Sequence, residues 1–255
     1  MSSRFVTVWS PDWPVAAAGI AATEAAIVVR ANRVVARSTT AAADGVVIGQ
    51  VRRQAQQCCP DATLVDHDLD RDGRAFEPIV QVIGRFAPRV EVIEPGWACI
   101  DARGPSRYFG GDGQLAERLA TAVGELTAAP IAVGVADGRF ASSVAARRSG
   151  SGGDRRPVVV APGGSPAYVG PLPVAWLHLL GEVDAELVGL FARLGLARLG
   201  DLAALQAGDV LARFGPQGSH AHRLAGGLDD RPPAGNEPPP PRAVERIFDE
   251  PVGEL

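Results

Sequence analysis

The chain predicts an α/β fold: a ferredoxin-like α+β layer with a smaller unit inserted into it, followed by a helical domain. Three observations carry that prediction. Apolar runs and helical apolar periods succeed one another as strand, helix, strand, strand, helix, strand, the order of a ferredoxin-like layer. Residues 13–74 interrupt that order just after the first strand. Beyond Gly164 the texture changes to short helices punctuated by glycine.

In chain order, residues 5–9 form an apolar strand, and Pro11 and Pro14 forbid a continuing central strand or a helix interior. Residues 16–25 start a helix, 26–30 and 33–38 read as a hairpin pair, and 44–62 carry a helical period between Gly45 and Pro60. Residues 77–87 are amphipathic, apolar at Ile79, Val82, Ile83 and Phe86. Residues 90–93 and 98–102 read as one strand interrupted around Gly96 and Trp97. A second amphipathic helix at 115–126 leads to a strand at 131–136, a short helix at 139–148 and a closing strand at 157–160. In the helical part, 187–194, 199–205 and 210–214 each span one or two turns, with glycine stops at Gly195 and Gly215. The prolines at 232–233 and 238–241 form an extended linker. Residues 242–255 read as the opening strand of a further domain, so the chain reads as a fragment of a longer protein.

A length of 255 residues suits two or three small units. No stretch of about 18 uncharged apolar residues exists, and no apolar core follows Met1-Ser2-Ser3-Arg4. A soluble, cytoplasmic protein is expected. Cys58, Cys59 and Cys99 lack metal-ligand spacing and are expected to be small core residues in a reducing compartment. All 25 basic residues are arginine, which removes lysine as nucleophile or phosphate ligand. The net charge of −4 argues against a strong electrostatic grip on nucleic acid by this chain alone. His67, His178, His220 and His222 are scattered, and hydrolase chemistry has no triad to stand on. The glycine-serine loop at 149–154 lacks the Lys-Ser/Thr of a phosphate-binding loop.

Several ordered motifs carry a family resemblance. Val35-Ala36-Arg37-Ser38, Ala41, Gly45-Val46, Gly49, Ala55 and Cys59-Pro60-Asp61-Ala62 form one set. Val133-Gly134-Val135-Ala136 with Arg139, Gly170-Pro171-Leu172-Pro173-Val174, Leu199-Gly200-Asp201-Leu202 and the run from Ala225 to Pro232 follow in order. The set resembles the Y-family translesion DNA polymerases, and within them the ImuB branch of bacterial mutagenesis cassettes. The resemblance implies a palm at 1–12 and 75–163, fingers at 13–74, and a helix-hairpin-helix thumb at 164–234. A linker and the start of a little-finger domain then fill 235–255.

The same resemblance implies where polymerase chemistry would sit. Two-metal nucleotidyl transfer needs bridging carboxylates, and the family's leading aspartate falls on Ser10 and its later carboxylate pair on Gly96 and Trp97. Asp12 matches a second aspartate, and Asp12, Glu94 and Asp101 are the acids from which a relocated site could be rebuilt. The triphosphate-side tyrosine, arginine and lysine fall on Thr39, Ala42 and Ser143. The expectation is therefore a chain that is not an enzyme, with no metal and no cofactor. Trp97 and Trp13 either fill volume or plug the emptied pocket. The thumb's phosphate-facing glycine turn falls on Glu182-Val183-Asp184, which repels phosphate. Arg52, Arg53, Arg139, Arg147 and Arg148 are expected as DNA contacts, against the plainer reading of solvated basic surface, as for Arg155-Arg156.

What the resemblance implies for function is an adaptor in SOS-induced mutagenic translesion synthesis. Its partners would be a RecA-like accessory protein (ImuA type), a DnaE-type error-prone polymerase and the sliding clamp. The clamp-binding segment would lie beyond residue 255. The alternatives are a weak or relocated-site translesion polymerase and a primer-template-binding module without chemistry.

Overall fold

The computed structural model describes residues 3–21, 23–151 and 156–229. The proline linker, residues 242–255, Arg155 and residues 152–154 of the glycine-serine loop lie outside them, while residues 149–151 belong to a helix. Among the described residues eight strands are formed: β1 (Arg4–Trp9), β2 (Ala26–Arg30), β3 (Arg33–Arg37), β4 (Thr63–Asp66), β5 (Glu91–Glu94), β6 (Trp97–Asp101), β7 (Ala132–Asp137) and β8 (Val158–Val159). Among them run α1 (Trp13–Ala17), α2 (Thr39–Ala43), α3 (Arg52–Cys58), α4 (Leu69–Ile83), α5 (Arg103–Phe109), α6 (Asp112–Gly124) and α7 (Arg139–Ser151). The helical part holds α8 (Ser165–Val169), α9 (Trp176–Leu180), α10 (Ala185–Arg193), α11 (Leu199–Ala203) and α12 (Ala207–Ala225).

The larger sheet has the order β5-β6-β1-β7-β8, with β1 antiparallel to both β6 and β7. Setting β8 aside, β7-β1-β6-β5 is the ferredoxin-like order that the strand–helix alternation predicts. Alternation along β1 gives each face its own work. Val6 and Val8 pack with Ala98, Ile100, Val133 and Val135 against α4 and α6. The opposite face, with Thr7 and Trp9, lies under α7, which then packs on the helices that follow Gly164 in a second core of Phe140, Val144, Leu177, Phe191 and Leu202. Gly134 permits that close approach. A Cβ there would sit 2.1 Å from the backbone nitrogen of Ala146.

The inserted residues build their own sheet, β3-β2-β4. The expected hairpin is β2–β3, and its turn residues Ala31 and Asn32 both have positive φ, 47° and 62°, as a two-residue mirror-image turn requires. Two predicted helices shift. The one expected at 16–25 is α1, which begins earlier because Pro14 fits a first helical turn. Of the period at 44–62 only α3 is helical, because Gly45 and Gly49 both take positive φ in the loop ahead of it; α2 ends before residue 44. The interrupted strand at 90–102 is instead a hairpin: β5 and β6 pair antiparallel, with Glu94 opposite Trp97 across a Pro95-Gly96 turn. The turn reverses the chain, so Glu94 is not further along the same strand. Cys59 and Cys99 are buried, but Cys58 is exposed, because it ends the short α3 where the apolar side faces away from it. Among the described residues no helix is long and apolar enough to cross a membrane.

Candidate active-site cleft

Where β1 ends and the β5–β6 turn begins, a cavity of about 500 Å³ opens between the two sheets, lined by Trp9, Ser10, Asp12, Trp13, Arg30, Ile48, His67, Asp72, Glu94, Gly96 and Arg147 among others. Its floor follows from strand register. Trp9 stands directly opposite Trp97, so both rings rise on the face covered by α7. The arginine of α7 that reaches this end of the sheet is Arg147, whose guanidinium lies 4.8 Å from the Trp9 ring centroid and 5.3 Å from that of Trp97. Cations over indole faces are attracted by the ring quadrupole, the more so when desolvated. Burial lowers the pKa of Arg147 and the charge of Glu94 opposes that shift; the group stays a cation at any working pH.

Helical spacing makes Arg147 one of three. Arg139, Ser143 and Arg147 recur at intervals of four on α7 and so share a side. Ser143 is 1% exposed, with its hydroxyl near that of Thr7, so this expected triphosphate position is core packing. Arg139 donates to Glu91 and Glu182. Cys99, opposite Glu91 on β6, has its thiol pKa pushed up by burial and then by the Glu91 charge.

The remaining site residues fall as follows. Ser10 comes just after β1, its amide donating to the Gly96 carbonyl at 2.8 Å. Its hydroxyl is buried with no hydrogen-bond partner among the described residues. Gly96 holds the turn at φ +91°, and a Cβ there would lie 2.4 Å from Trp13 Cβ. Trp97 is 9% exposed. Asp12 has a left-handed backbone and accepts from the Arg37 amide through Oδ1 at 3.1 Å; burial raises its carboxyl pKa. Asp101 ends β6 opposite Phe5, four residues from Trp97, and accepts from the Arg103 amide. Thr39 is exposed and Ala42 half-buried on α2; Thr39 lines a second cavity of about 530 Å³ rather than this one.

The arginines expected to contact DNA form no single patch. Arg52 and Arg53 are exposed at the start of α3. Arg148 lies over the Tyr168 ring at 5.5 Å, while Arg139 and Arg147 are engaged with carboxylates and indoles. In the helical part, the predicted turn Glu182-Val183-Asp184 joins α9 to α10, with Val183 buried.

Two features escaped sequence reasoning. Trp9 is the side chain facing Trp97, and counting strand parity from Thr7 would have found it. A buried cluster lies under Trp13: Asp72, 1% exposed, receives two hydrogen bonds from Arg71, lies 3.2 Å from His67 Nε2, and its backbone carbonyl accepts from Trp13 Nε1. It ties β4 of the insertion to α4 of the layer. Nothing in the spacing of His67 and Asp72 announced it.

These residues do not fit a pair of divalent cations. A guanidinium sits between the strand-end tryptophans, and among the described residues no group of three His, Cys, Asp or Glu side chains converges. Asp12 and Glu94 line the cleft, but Asp12 is committed to the Arg37 amide and Glu94 is exposed at the rim.

The impB/mucB/samB family (IMS) matches residues 12–147. Among curated relatives, DNA polymerase IV of Pseudomonas syringae pv. syringae (strain B728a) is 26% identical over 215 residues, covering 84% of this chain and 59% of the relative. DNA polymerase IV of Halorhodospira halophila is 28% identical over 199 residues, covering 78% and 54%. The chain therefore spans less than two thirds of these relatives. Among solved structures, the insertion ternary complex of Dbh DNA polymerase superposes with a TM-score of 0.74 at 16% identity, over 90% of this chain and 69% of that one. DinB from Sulfolobus solfataricus gives 0.71 at 16% identity over 90% and 69%. The fold is that of the Y-family polymerases. These findings overturn the expectation that the chain is not an enzyme: the relatives it matches are named as polymerases, and the likeness runs through most of the chain. The expectation weighed the replaced residues Ser10, Gly96, Trp97, Thr39, Ala42 and Ser143, and the matches to relatives named as polymerases overturn it.

Proposed function

The chain belongs to the impB/mucB/samB family, and on that premise we propose that it serves translesion DNA synthesis as a Y-family, ImuB-type adaptor. In this reading its fold is a platform that brings a RecA-like accessory protein, a DnaE-type error-prone polymerase and the sliding clamp to a damaged primer-template, in the cytoplasm and under SOS control. One observation carries it: at the strand end beside the cleft, the chain's own Arg147 lies over the rings of both Trp9 and Trp97. Stacking of this kind favours a fixed, preorganised surface. Size-exclusion chromatography of the chain mixed with the RecA-like protein and the DnaE-type polymerase tests it. Co-elution is expected, and separate elution of all three overturns the adaptor role.

A second reading is a translesion polymerase with relocated ligands. It is favoured by the relatives' names and by Asp12 and Glu94 lining one cleft. Templated primer extension by the chain alone, abolished in Asp12→Ala, would establish it.

A further inference from the structure

We propose that the aromatic and arginine patch where α4 and α5 end is a docking surface for a partner protein, and that the segment it takes is acidic and carries apolar side chains. Phe86, just past α4, and Phe109, which ends α5, pack with ring centroids 5.1 Å apart. Tyr108 stands edge-on to Phe109 at 4.8 Å and is itself 84% exposed. The Arg118 guanidinium, from α6, lies 5.6 Å from the centre of the Phe109 ring. Arg85, Arg89 and Arg107 stand within three residues of one or other phenylalanine, and all four arginines are exposed. Among the described residues none of the four is in an ion pair. Asp112, which opens α6, accepts from Arg4 and Ser106 instead. Glu117 precedes Arg118 on α6 and so points about 100° away round the helix.

Two elements lead from the cleft to this patch. Leu69 and Asp72, in the first turn of α4, line the cleft, and α4 runs on for about 22 Å before Phe86. β6 starts at Trp97 and runs for about 13 Å before α5 follows it. The patch therefore stands at the other end of the sheet from the cleft. Tyrosine, phenylalanine and arginine are the side chains enriched at protein interfaces, and tyrosine and arginine carry much of the binding energy there. Tyr108 is already held against a fixed ring, so covering it costs little side-chain freedom. Grouped arginines without acids of their own select a partner's carboxylates, to which each gives a charge-assisted hydrogen bond. A single strand of nucleic acid fits less well. It takes successive stacking platforms along a basic groove, whereas Tyr108 is the one well-exposed ring of the three, and the net charge of −4 opposes a long polyanion.

Fluorescence anisotropy tests the surface, with a labelled peptide in which glutamate alternates with phenylalanine or leucine. The comparison probes are the same peptide with serine at the apolar positions and labelled oligo-dT. The proteins are the chain, Tyr108→Ser and the double variant Arg85→Glu/Arg89→Glu. All three positions are exposed, and melting curves check that both variants fold. The alternating peptide should bind the chain, and each variant should bind it about tenfold more weakly. The serine peptide should bind the chain about tenfold more weakly than the alternating one. No binding of the alternating peptide, or binding that either variant leaves unchanged, overturns the surface. Equal binding of the serine peptide overturns the apolar part of the contact. Tighter binding of oligo-dT, lost in the same variants, makes nucleic acid the occupant and overturns the protein partner. Self-association in sedimentation that both variants abolish makes a second copy the occupant and overturns it likewise.

Discussion

Arg147 lies over Trp97 with 5.3 Å between its guanidinium carbon and the ring centroid, and the same cation covers Trp9 at 4.8 Å. Strand register sets the two indoles opposite each other, and the periodicity of α7 sets the arginine above them. The contact is therefore a product of the fold itself and ties the sheet end to α7.

Replacing Arg147 by Met keeps most of its volume and removes its charge. Two partly desolvated cation–π contacts are worth about 1–2 kcal/mol together, and urea unfolding should show a loss of that size. Arg147→Lys should lose less, because the charge remains. The indole emission of Trp9 and Trp97 should change in Arg147→Met without a change in secondary structure.

Restoring an aspartate at Gly96 should fail as a single step. The backbone there is at φ +91° and any Cβ meets Trp13 at 2.4 Å. Gly96→Asp should cost about 2–3 kcal/mol from strain and collision, seen as a lower thermal midpoint. Pairing it with Trp13→Ala should not rescue it, because alanine keeps the Cβ that is met at 2.4 Å and the strain remains.

Asp12 gives a pH dependence. Burial raises its carboxyl above the ordinary value of 3.8, so the folded chain holds this proton more tightly than the unfolded chain does. Its contribution to stability is full below 3.8 and is lost as pH rises through the higher folded value. Asp12→Asn keeps an oxygen for the Arg37 amide and carries no charge. It should be as stable as the parent or more so at pH 7, and the difference between the two should shrink on acidification.

Asp229 is 7% exposed and its Oδ2 accepts from the Phe140 amide in the first turn of α7 at 2.9 Å. It acts as a capping group supplied from the far end of the helical part. Asp229→Ala should cost about 1 kcal/mol and raise amide exchange in the first turn of α7; Asp229→Asn should cost less.

The fold was largely legible because its signals are periodic. Alternation in β1 and β7 and the apolar stripes of α4 and α6 need only neighbouring residues to be read. Boundaries failed where single backbone conformations decide. Gly45 and Gly49 make the first part of one predicted helix a loop, and Gly96 turned an interrupted strand into a hairpin. At the cleft, Trp97 and Ser10 stand out by resemblance and Arg147 as one of an arginine pair, but their relation to Trp9 depends on cross-strand register, which no local pattern encodes. The His67–Asp72 contact joins two elements that only the tertiary fold brings together.

The most direct test of the adaptor role is lesion bypass by the DnaE-type polymerase on a damaged template, with and without the chain, using the parent and Asp12→Asn. The account predicts that the chain with its accessory protein stimulates bypass, and that Asp12→Asn stimulates it equally. No stimulation, or stimulation lost in a folded Asp12→Asn, would contradict it.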